Sequence, residues 1–147
     1  MARRDTRPVL ARLARIAALH GARATTRSAQ AQARLADLHA HHRDHRARLA
    51  REAQLATPEA AGHVAGFIRS MHARENQLLQ AIEEARTEAR AAQAAAQAAH
   101  EKATRSRGLH DRAQADHIRA QARAEARHLD ETAIILWARH AGPHPES

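Results

Sequence analysis

From Thr57-Pro58 to the Gly142-Pro143 pair about 80 residues pass without a proline, and about 50 more separate Pro58 from the proline before it, Pro8. Proline is the residue that most reliably ends a helix, because it lacks the N–H and its ring clashes with the preceding turn. Two helices of that length in a chain of 147 residues leave almost nothing from which to build a globular core. The sequence predicts a slender rod.

Composition points the same way. Forty residues are alanine, which buries little surface per side chain, whereas Leu, Ile, Val, Phe, Met and Trp are sparse. An excess of Ala, Arg, Glu, Gln and Leu, with one Phe, one Trp and no Tyr, belongs to long helices and coiled coils. Runs of β-branched or aromatic residues that would form strands are absent.

Apolar and small residues recur in alternating steps of four and three from Leu10 through Ala14, Ala17, Gly21, Ala24, Ser28, Ala31, Leu35, Leu38, His42 and His45 to Leu49. This is the heptad stripe of a helix that faces one partner. Thr6 is suited to cap its start and Pro8 to sit in the opening turn. A second stripe runs through Val64, Ile68, Met71, Leu78, Ile82, Ala85, Ala89, Ala92, Ala96, Ala99, Ala103 and Ser106, with Glu75 a polar interruption. Between them, Ala56-Thr57-Pro58-Glu59 reads as the end of one helix and the immediate restart of another, with Thr57 as cap and Pro58 at the first helical position.

The predicted fold is therefore all-α, one coiled-coil domain over residues 1–147. Helix 1 spans about 7–55, the turn about 56–62 and helix 2 about 58–140, with a disordered tail at 142–147. Folding back as an antiparallel hairpin buries both stripes at the least loop cost. At about 1.5 Å per residue the helices are roughly 70 Å and 120 Å long, so the second overhangs. With the turn near Thr57, helix 1 is expected to run out opposite Arg105–Gly108.

The net charge is +8, and all of the excess lies in the first helix. A basic stripe of this kind attracts nucleic acid, anionic lipid or an acidic protein, so a basic coiled-coil nucleic-acid-binding or scaffold protein is the alternative reading. The chain lacks the aromatic interleaving that would give nucleic-acid specificity. It has no cysteine, no apolar stretch of signal-peptide type at its start and no run of about 18 apolar residues, which leads us to expect a cytoplasmic protein. No phosphate loop of the form GxxxxGK[ST], no GxSxG and no HExxH occurs, and a rod offers no enclosed pocket. Neither an enzyme nor a cofactor is expected.

Three places stand out chemically. Leu129-Asp-Glu-Thr-Ala-Ile-Ile-Leu-Trp-Ala138 is the most apolar stretch, falls on the predicted overhang and is apolar around most of its circumference; a solvated helix should not be, so a docking surface for another protein is expected there, the alternative being packing within this chain or in a homodimer. Phe67, Ile68, Met71, Leu78 and Leu79 cluster near the turn. Met71 and Leu78 fit the seam, and Phe67 beside Gly66 is the better interface residue. In His39-Ala-His-His-Arg-Asp-His45, His41 and His45 are spaced i, i+4 as zinc ligands can be, but zinc needs a third and fourth ligand and no cysteine exists. The favoured reading puts His42 and His45 in polar seam positions that help set register, where titration near neutral pH would weaken the pair; no metal is expected.

With its length, its two helices broken in the fifties, the Phe67-Ile68 start of helix 2 and the Leu129-Asp130-Glu131-x-Ala133 element, the chain resembles the FliJ family of flagellar export proteins and the related YscO stalk proteins of virulence secretion. The resemblance implies an antiparallel coiled coil like the central stalk of rotary ATPases. Such a stalk inserts into a hexameric flagellar export ATPase, contacts the cytoplasmic domain of the export gate and handles export chaperones, peripherally at the inner membrane of the flagellar base. Carried over residue by residue, the gate contact falls on Phe67, Met71, Arg74 and Leu78, where Arg74 departs from the small residue of the family pattern. The ATPase contact falls on Leu129, Asp130, Glu131, Ala133, Ile134, Ile135, Leu136 and Trp137.

Overall fold

The computed structural model describes residues 5–55 and 57–142. They form α1, Arg7–Leu55 (49 residues), a single 3₁₀ turn, Pro58–Ala60, and α2, Ala61–His140 (80 residues). The two helices pack against each other as a hairpin, and no strand occurs among the described residues. Residues 143–147, most of the expected tail, lie outside the described residues.

At the start of α1 the Thr6 carbonyl accepts the Leu10 N–H at 3.0 Å, which places Thr6 at the cap. The side-chain part of the cap comes from Asp5 instead. Its carboxylate accepts the Arg7 backbone N–H at 3.1 Å and the Arg7 guanidinium at 2.8 and 2.9 Å. The Arg7 hydrogen bonds hold the Asp5 carboxyl below its usual range, and the same bonds raise Arg7. Pro58, expected to open the second helix, stands in the 3₁₀ turn that leads into it, a common way for a helix to begin.

The chain divides into two compact units. In the unit of residues 17–103, every expected stripe position from Ala17 to Leu49 and from Val64 to Ala103 is buried or half-buried. The deepest are small: Ala85 is 2 % exposed, Ile82 3 % and Ala17, Ala31 and Ala89 are also buried. Arg34 donates to Glu88 at 3.0 Å and His45 Nε2 to the Met71 carbonyl at 2.9 Å, so residue numbers rise along one helix as they fall along the other. The strands of this pair are antiparallel. Gly21 stands in the seam, where an added Cβ would lie 3.9 Å from the Ala103 Cβ and the Ala99 carbonyl oxygen, an ordinary contact.

The other unit combines the start of α1 up to Ile16 with Thr104 onward. Here Leu10 and Ala14 on α1, and Ser106, His110, Ala113 and His117 on α2, are half-buried, whereas everything from Ile118 to Gly142 is exposed. Asp5 feels the charge of His117. Helix 1 thus runs out opposite His117 rather than at Arg105–Gly108. Within this unit Ser106, His110, Ala113 and His117 continue the steps of four and three, so the heptad stripe of α2 runs on past Gly108 to His117.

Replacing Ile82 by Ala should lower stability by about 2–4 kcal/mol, because it opens a hole in a close-packed layer. Gly21→Ala should raise it by about 0.5–1 kcal/mol, since the helix gains propensity and the new methyl has room. Chemical unfolding followed by circular dichroism reads both.

Candidate interaction surfaces

The C-terminal surface is built by helix continuity alone. α2 keeps its hydrogen bonds through the patch and closes with Ala141 N–H donating to the Trp137 carbonyl at 2.8 Å and His140 Nδ1 to that of Leu136 at 2.9 Å. Nothing in its own unit covers it: Leu129, Asp130, Glu131, Ala133, Ile134, Ile135 and Leu136 are all exposed, and Trp137 is 73 % exposed. Apolar side chains of this size gain about 1.5–3 kcal/mol each when water is fully removed from them. The arrangement leaves apolar area in contact with water along this end of α2.

Near the turn, Phe67 is 41 % exposed and lines a shallow groove of about 290 Å³ with Leu49, Leu55, Val64 and Ile68, and with Glu52 and His63 at its margin. Leu55 is a large exposed residue here that the seam pattern did not single out. The four residues carried over as a gate surface do not form one open stripe. Phe67 and Arg74 are exposed on the flank, each directly before a seam position, while Met71 and Leu78 are half-buried in the seam itself. Arg74 and Leu78 border a second hollow with His41, Asp44, His45 and Arg48.

Between these lies the polar part of the seam. His45 is 6 % exposed and satisfied by the Met71 carbonyl. One layer away, Glu75 is approached by His42 Nε2 at 3.4 Å, His72 Nδ1 at 3.7 Å and Arg46 Nε at 3.8 Å. The His42 contact is close but misaligned, so this buried Nε2 has no hydrogen-bond partner. The histidines therefore sit where the heptad reading put them. Among the described residues no group of three or more His, Cys, Asp or Glu side chains is arranged to hold a metal ion.

One surface escaped the sequence reading. Val9, Leu13 and Ile16 on α1, and Leu109 on α2, are large apolar residues left exposed in the unit that contains the start of α1. Leu13 and Leu109 each directly precede a seam residue, Ala14 and His110. In an antiparallel pair such positions fall on the same lateral face, as Arg34 and Glu88 show by meeting across the seam of the other unit. The signal in the sequence was an i, i+4, i+7 spacing one residue out of phase with the stripe, and the stripe masked it.

Two long helices packed as a hairpin define an all-α coiled-coil protein. A family model for the flagellar FliJ protein matches residues 14–142, and the chain belongs to the FliJ family. It thereby has a role in flagellar type III protein export, within a family that is non-catalytic. No curated protein and no solved structure gives a match. No helix among the described residues is long and apolar enough to cross a membrane.

Replacing His42 and Glu75 together by Leu should stabilise the hairpin by about 1–4 kcal/mol, because two partly desolvated and poorly matched polar groups give way to packing. Glu75→Leu alone, which takes the carboxylate from beside the half-buried His42 and leaves that imidazole against a leucine, should be the less stable variant. Thermal unfolding of the two variants against the parent checks the order.

Proposed function

We propose that this chain is the central stalk of the flagellar export apparatus, seating its C-terminal end in the hexameric export ATPase and its turn region against the cytoplasmic domain of the export gate. The observation that carries the reading is the exposed segment Leu129–Trp137: an apolar helix end without cover in its own unit needs a ring or cleft that supplies one. Leu129, Ala133, Leu136 and Trp137 would provide the burial. Asp130 and Glu131 would fix orientation at the rim, where charged pairs select rather than strengthen.

At the other contact, Phe67 would insert as the aromatic anchor and Arg74 would add a charged neighbour. Met71 and Leu78 would serve from the seam edge, supporting the surface more than touching the gate. A stalk so placed works by differential binding: it couples ATP hydrolysis to export only to the extent that it favours one state of the ring over another. Export chaperones would be handled by the same apparatus-facing protein, held on the cytoplasmic side and peripheral to the inner membrane at the flagellar base.

Trp137→Ala should weaken binding to the export ATPase by about 2 kcal/mol, roughly thirtyfold, and abolish its stimulation at matched concentration. Unchanged stimulation would remove this end as the ATPase contact. Phe67→Ala should lower affinity for the gate domain while leaving helicity intact; normal motility of cells carrying it would remove the gate contact.

A further inference from the structure

We infer that, away from its apparatus, the chain forms a two-fold dimer in which the C-terminal end of α2 from each copy lies on the Val9–Leu13–Ile16–Leu109 face of the other. Both surfaces belong to one unit, both are bare, and within a copy they cannot meet. α2 runs straight from Leu109 to Trp137, which sets the two patches more than 30 Å apart along one continuous helix at about 1.5 Å per residue. A second copy is the occupant that both patches share.

The symmetry closes. When two copies of α2 run antiparallel with Ala133 of one level with Leu109 of its partner, the two-fold axis requires Leu109 of the first to lie level with Ala133 of the second. Each apolar end then covers the other's lateral face, and no third copy is invited, as expected of an isologous interface. The end of α2 is apolar around most of its circumference, so its rotation about its own axis does not restrict the fit.

At the apolar patches the same register brings opposite charges together. Arg12, Arg105 and Arg112 border the lateral face, and none of them forms an ion pair among the described residues. In the register set by the apolar patches, Asp130 comes level with Arg112 of the other copy, Glu131 with Asp111 between Arg112 and Arg12, and Trp137 with Arg105, where a guanidinium over an indole is favourable. An acidic pair within an otherwise basic end thus meets the unpaired arginines. The dimer does not rest on the proposed role in export, but it has a consequence for it: the segment offered to the ATPase is covered in the dimer, so ring and second copy compete for it.

The chain lacks cysteine, which makes a cross-link test clean. In the full-length double variant Arg12→Cys/Ala133→Cys, oxidation should give a covalent dimer joining position 12 of one copy to 133 of the other, as mapped by mass spectrometry. Light scattering at micromolar concentration should show a dimer for the parent and a monomer for Leu13→Glu and for Trp137→Glu, with helicity unchanged because both positions are exposed. A parent that is monomeric, a dimer indifferent to Leu13→Glu, or cross-links that join 133 to 133 instead would overturn the inference. Loss of ATPase stimulation in Trp137→Glu with stimulation kept in Leu13→Glu separates the two uses of the C-terminal end. If neither variant changes stimulation while both are monomeric, the export contact fails and the dimer stands.

Discussion

The contact on which everything else depends is the thin seam between α1 and α2, whose most buried members include Ala17, Ala31, Ala85 and Ala89. Alanine lets two helices approach closely but removes little apolar area from water per layer. Stability must therefore accumulate over many layers, and helix continuity matters more than any one residue. That is why the chain tolerates few breakers, and why few side chains among the described residues are deeply buried. A protein held together this way has no interior to put chemistry in. What it can do, it does on its outside.

An alanine seam has a second consequence. Its layers resemble one another, so a pair slipped by a heptad loses little, and register is poorly specified by packing. The His42–Glu75 layer and the His45 bond to the Met71 carbonyl break that degeneracy near the fold-back, because a slipped pair would bury these groups opposite methyls. The incomplete satisfaction of His42 Nε2 is a cost of the arrangement. The same register determines where α1 ends on α2, and so how much of α2 remains unpaired.

The large apolar residues that the seam does not use are on the surface, and they are grouped. Leu129 to Trp137 form one group, Phe67 and Leu55 with their groove a second, and Val9, Leu13, Ile16 and Leu109 a third. In a chain where alanine suffices for the core, leucine, isoleucine and tryptophan are left on the outside, and their grouping is what the proposed contacts rest on. Membership in the FliJ family agrees with a protein whose work is contact.

The fold class and the seam residues were legible in the sequence because heptad spacing is a local property: each stripe repeats at the helix period regardless of what it faces, and all its positions from Leu10 to Leu49 and Val64 to Ser106 are buried or half-buried. The exposed C-terminal patch was legible for the same reason, since an apolar segment on an overhang needs no partner to be recognised. Three things were decided only by the tertiary structure. The end of pairing moved from Arg105–Gly108 to His117, since half-buried positions continue at heptad spacing beyond Gly108. Met71 and Leu78 went to the seam while Phe67 and Arg74 went to the flank, so the expected gate surface is split. The Val9–Leu13–Ile16 face became visible only beside Leu109, which lies about a hundred residues away in the chain. Periodicity specifies which face of a helix is buried; which residues of two helices stand level with each other is a property of the pair.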